Sequence, residues 1–203
     1  MNIPRVRIIY SKFLDQRMQQ LFEYRQAAGI IPADAVYPTS ELIMDKVSTY
    51  QAAWEMRKPV LGYMQEILDL NFYLEVIDTY IVGQMKGAFS LPIVINAFSP
   101  PDIYIDTLTH EILHRLLSDN TQKVNTRQII SKMFPNETEL CAVHIIVHAL
   151  LKKIYLDFLE EPQRLIANKE RDAKDPNYTR AWEIVESMGE NKIITDFKSY
   201  YIV

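Results

Sequence analysis

Two histidines and a glutamate in the segment His110-Glu111-Ile112-Leu113-His114 have the types and spacing to do chemistry on a metal ion. Residues four apart on an α-helix lie one above the other on the same face, so His110 and His114 can present two imidazoles to one cation. Glu111 sits one step round the helix. From there its carboxylate can reach a water on the cation without being a ligand, which suits a general base that takes the water's proton and later returns it to a leaving amine. Zinc is the ion expected, because it accepts imidazole ligands and lowers the pKa of its water towards neutrality.

The remaining histidines of the chain, His144 and His148, are also spaced by four. Their neighbours are Cys141, Ala142, Val143, Ile145, Ile146, Val147, Ala149 and Leu150, so both imidazoles are expected to be buried and in need of hydrogen-bond or metal partners. Cys141, in the same segment, reads as a small apolar core residue.

His110, Glu111 and His114, with a later helix beginning Asn136-Glu137, resemble the zincin metallopeptidases, and in particular their glutamate-ligand branch, the gluzincins. The resemblance covers about a third of the chain. It implies a zinc-dependent peptidase acting on peptides or unfolded proteins, with Glu111 as base and Glu137 as the third ligand. Glu139 is a further candidate, on a helical face different from that of His144. The resemblance also implies that Pro92 to Phe98 is an edge strand that pairs with extended substrate, so that Asn96 and Ala97 contact it. His144 and His148 depart from the gluzincin pattern and leave the third ligand open. The helix dipole alone accounts for an acid at position 137. A neutral imidazole in an apolar helix is a good zinc ligand, which favours His144, with His148 supporting it or donating to a transition-state oxyanion.

Around these residues the sequence predicts an α+β fold, mostly helical, with a small sheet beside the motif helix and a second, buried ligand-bearing helix, as in zincins. One domain over 1–203 is expected, with 1–70 a helical support layer and 71–203 carrying the sheet and the site. Met1 to Tyr10 reads as a strand and Ser11 to Ala28 as a helix stopped by Gly29 and Pro32. Thr39 to about Leu70 is helical, divided near Pro59. Phe72 to Val82 and Ala88 to Asn96 read as strands around a turn at Gly83 to Gly87. The motif helix starts at Asp102 or Asp106 and runs to about Leu117; a short helix ends near Phe134, and an apolar one spans Asn136 to Leu159. Tyr178 to Met188 is a final helix before a tail containing Tyr200 and Tyr201.

The formal net charge of -4, with no basic block, argues against a nucleic-acid partner. A single cysteine among 203 residues allows no intramolecular disulfide and no Cys-based zinc knuckle, so a reducing, cytoplasmic setting is expected. The N-terminus lacks the apolar core of a secretion signal, and no apolar run has membrane-spanning length. The competing reading is a non-catalytic metal-binding or regulatory protein on the same scaffold; a purely structural site has no use for Glu111.

Overall fold

The computed structural model describes residues 3–122 and 124–201. In chain order its elements are β1 (Arg5–Tyr10), α1 (Lys12–Ala27), α2 (Ser40–Arg57), α3 (Val60–Leu68), β2 (Val76–Val82), β3 (Phe89–Ser90), β4 (Ile93–Asn96) and α4 (Pro101–Asp119). There follow α5 (Thr126–Met133), α6 (Glu139–Lys153), a π-helical turn (Ile154–Phe158), α7 (Pro162–Asp172), α8 (Pro176–Met188) and α9 (Glu190–Ser199). The fold is α+β and mostly helical, with one small mixed sheet. None of the described helices is long and apolar enough to cross a membrane.

The chain divides into two compact units. One comprises Pro4–Lys58 and Leu74–Ile112 and holds the sheet, in the order β1-β2-β4-β3. β1, β2 and β4 run parallel, and β3 returns antiparallel on β4. Pairing starts at Arg5 opposite Val76, directly after Pro4, whose ring nitrogen has no proton for a ladder. The β2 strand is therefore shorter than the expected Phe72 to Val82. The expected strand Ala88 to Asn96 becomes two, β3 and β4, because Leu91-Pro92 turns the chain back on itself. Ile93, Val94 and Ile95 are all buried, as a strand covered on both faces requires. The outer edge of β1 is closed by Gln51 of α2, whose amide accepts from the Ile8 N–H at 2.9 Å and donates to the Val6 carbonyl at 3.2 Å.

The α1 and α2 helices start where side chains cap them, Ser11 accepting from Leu14 N–H and Thr39 from Leu42 N–H. The break between α2 and α3 falls at Lys58-Pro59, as the proline predicts.

The second unit is built mainly from Pro59–Tyr73 and Leu113–Val203, with α6 at its centre, packed on α5, α8 and α9. Cys141, Ala142 and every residue from His144 to Leu151 are buried, the pattern of a helix covered nearly all round. It begins at Glu139 rather than Asn136 because the Thr138 hydroxyl caps it, accepting from the Cys141 N–H at 3.1 Å. Its expected continuation to Leu159 is present as the π-helical turn. In α7 only Leu165 is buried, so its sequence carried no apolar stripe.

Candidate metal centre

Pro100 and Pro101 start α4, and its buried face is the apolar series Tyr104, Ile105, Leu108, Ile112, Leu113 and Leu116. This packing fixes the helix in rotation and leaves His110 and His114 half-buried on an adjoining face, one turn apart, with Glu111 beside them and 8% exposed.

The α6 helix contributes His144, whose ring centroid lies 4.9 Å from that of His114. One ligand atom from each of His110, His114 and His144 lies within 4.8 Å of the others. Nitrogens around a tetrahedral zinc are about 3.4 Å apart, so small side-chain rotations bring these three into coordinating range. The His144 Nδ1 is 2.7 Å from the Leu140 carbonyl. A carbonyl only accepts, so Nδ1 carries the proton and Nε2 presents its lone pair, the arrangement a metal-binding imidazole needs. The Tyr178 ring of α8 stacks on His144 at 4.1 Å and holds its orientation.

Burial pushes the pKa of His114 down to about 3, with His144 adding to the shift. Burial also lowers that of His144, against the Leu140 hydrogen bond and Asp175. Both rings are neutral at pH 7, the protonation state in which imidazole binds a cation. The three imidazoles could thus hold a metal ion.

Glu111 accepts a hydrogen bond from the Ser90 hydroxyl of β3 at 2.5 Å. Burial raises its pKa to about 7, partly opposed by Ser90. A carboxyl group with that value can take and return a proton near neutrality.

The other sequence candidates lie apart from this cluster. Glu137 precedes α6 and pairs with Arg180 at 3.0 Å, which lowers its pKa. Glu139, largely exposed, pairs with Arg127 at 2.7 Å. Neither belongs to the group that could share an ion among the described residues. His148 is fully buried behind His144, stacked on Trp182 at 4.2 Å, with Nε2 3.5 Å from the Asp172 carboxylate. Its pKa is pushed down to about 2, by burial first, so this ring too is neutral. Cys141 is buried as expected; its thiol donates to Glu137 and is pushed up to about 11, mainly by burial.

Asn96 and Ala97 end β4, an inner strand, and the edge beside it is β3. The Ala97 N–H donates to the Val82 carbonyl at 2.9 Å and its own carbonyl accepts from Tyr50, while Asn96 Oδ1 accepts from the Phe98 N–H at 2.7 Å. Their polar groups thus close the end of the strand.

Sequence reasoning missed Ser90, an ordinary serine on a two-residue strand. It also missed Tyr178 and Trp182, although a signal was present. Both aromatic residues are four apart on α8, as His144 and His148 are on α6, and the two helices match them rung by rung. Compared with known protein families, with curated proteins and with solved structures, this chain shows no match.

Proposed function

We propose that the chain is a zinc-dependent hydrolase of peptide bonds, in which His110, His114 and His144 hold the ion and Glu111 is the general base. The observation that carries this reading is the joint one: three imidazoles within coordinating reach and a carboxyl group, one residue from the first, tuned to about 7. Zinc bound there supplies a water of lowered pKa and a Lewis acid for the substrate carbonyl. Glu111 accepts the water's proton at its carboxylate and delivers it to the departing amine. Ser90 holds one carboxylate oxygen, leaving the other for that transfer. Leu140 and Tyr178 fix the His144 ring. The resemblance of His110, Glu111 and His114 to zincins points the same way, towards peptides or unfolded proteins as substrates in a reducing, cytoplasmic setting.

The second reading is a non-catalytic zinc protein, favoured by the low exposure of Glu111 and its hydrogen bond to Ser90. A peptide library incubated with zinc-loaded protein, with Glu111→Gln and with metal-stripped protein, read by mass spectrometry, separates the two. The hydrolase reading expects cleavage that falls by roughly a hundred- to ten-thousandfold in Glu111→Gln at unchanged zinc content. No cleavage by the zinc-loaded wild type selects the non-catalytic reading.

A further inference from the structure

We propose a second binding site, independent of the metal centre, for a small amphipathic carboxylate: an apolar tail ending in one carboxylate group. A cavity of about 320 Å³ lies outside the carboxyl ends of β2 and β4, lined by α1, by Gln84-Met85-Lys86 after β2, and by Asn96 and Phe98. The crevice beyond the carboxyl ends of parallel strands is where open sheets bind ligands, because the loops there converge. Its size is that of about ten water molecules, enough for a medium-length acyl chain or one amino-acid residue with an apolar side chain.

Charge selects the head group. Arg25 and Lys86 both line the cavity, no lining residue is acidic, and neither cation has a carboxylate partner among the described residues. Two cations lining one cavity leave a charge for an anionic ligand to neutralise, and guanidinium and ammonium groups make strong charge-assisted hydrogen bonds to carboxylates. The amides of Gln84 and Asn96 add neutral donors. The tail is selected by Met18, Leu21 and Phe22, which share a face of α1 with Arg25, and by Phe98 opposite. Leu21 and Phe98 are 39% and 44% exposed, apolar groups left uncovered at the cavity wall.

The walls are fixed in advance. Gln26 donates to the carbonyls of Pro32, Ala33 and Ala35, which sets the loop carrying Ile31. The Gly83 N–H donates to buried Asp15 at 2.8 Å, which anchors the segment entering Gln84. Asn96 ties down Phe98. A site whose walls are already hydrogen-bonded spends little ordering entropy on binding.

Two sources share this ligand chemistry, a free fatty carboxylate and the C-terminal residue of a peptide. Calorimetric titration of the full chain with octanoate, N-acetyl-leucinate and octanol distinguishes them. Saturable binding of at least one carboxylate, without binding of octanol, is expected, and the preferred one identifies the source. The doubly substituted Arg25→Gln/Lys86→Gln protein should bind that carboxylate at least about tenfold more weakly. Amide chemical-shift changes on the unmodified protein give a test that needs no variant, and should cluster at residues 18–25, 84–86 and 96–98. Absence of saturable binding at millimolar carboxylate, equal binding of octanol, or shifts centred elsewhere overturns the proposal.

Discussion

Asp15 and Glu111 are both carboxylates buried in the sheet-bearing unit, at 5% and 8% exposure, yet their surroundings differ. Asp15 accepts three hydrogen bonds, from the hydroxyls of Tyr37 at 2.6 Å and Tyr10 at 3.0 Å and from the Gly83 N–H at 2.8 Å. It ties β1, α1, the loop at Tyr37 and the end of β2 into one frame. Glu111 accepts a hydrogen bond from Ser90, and burial raises its proton affinity against that bond. A buried acid surrounded by donors is committed to holding the fold, whereas one left with a single donor retains the capacity to exchange a proton. The same contrast separates Glu137, neutralised by Arg180, from His144, whose hydrogen bond to the Leu140 carbonyl places the ring proton on Nδ1.

The largest expected effect tests the second contrast. His144→Ala should weaken zinc binding by more than about a hundredfold, since one of three ligands shares a large binding free energy. Glu137→Gln should leave it unchanged. Competition with a chromogenic chelator measures both, and the reverse order would return the third-ligand role to Glu137.

Next in size is the frame around Asp15. Asp15→Ala removes the carboxylate that accepts from Tyr37, Tyr10 and the Gly83 N–H and leaves the Tyr37 hydroxyl only the longer contact to the main-chain carbonyl of residue 15, at a cost of about 3 kcal/mol in urea-induced unfolding. Gly83→Ala should cost about 1–3 kcal/mol by overpacking, because a Cβ there would stand 2.7 Å from the Tyr37 ring and the Pro38 side chain. Glu111→Gln, by contrast, should not destabilise the protein. If it proves as damaging as Asp15→Ala, the distinction between frame and site fails.

The helical site was legible because its signals are local. Spacing by four gave His110 with His114 and His144 with His148, and the apolar run around His144 announced a buried helix. The sheet was less so: the parallel pairing of β1 with β2 joins strands some 70 positions apart in sequence, as in Arg7 with Asp78, and no local pattern records which strand becomes the edge. Pro92–Phe98 therefore read as an edge, whereas its core, β4, is internal and Phe89-Ser90 is the edge. Nothing in the serine at position 90 foretold its bond to Glu111, since that contact depends on the β3 turn. The short helix α7 escaped because only Leu165 is buried, which forms no stripe, whereas α9 carries a short one in Ile193, Ile194 and Phe197 that the sequence reading passed over.

The smallest effect expected concerns the pH dependence that Glu111 gives the metal-free protein. Its pKa is raised from 4.5 to about 7 by burial, so between those values the native state holds a proton that the unfolded chain releases. Native binding of the extra proton makes stability greatest below about pH 4.5 and reduces it as pH rises through 7. Glu111→Gln lacks this loss. The variant should therefore match wild type near pH 4.5 and exceed it by about 2 kcal/mol at pH 8, read from urea midpoints at each pH with chelator present. Added zinc should shrink the difference, because a nearby cation favours the charged carboxylate. A wild-type advantage that grows with pH in chelator would mean that Glu111 is stabilised as an anion in the native state, and the contrast between the two carboxylates would collapse.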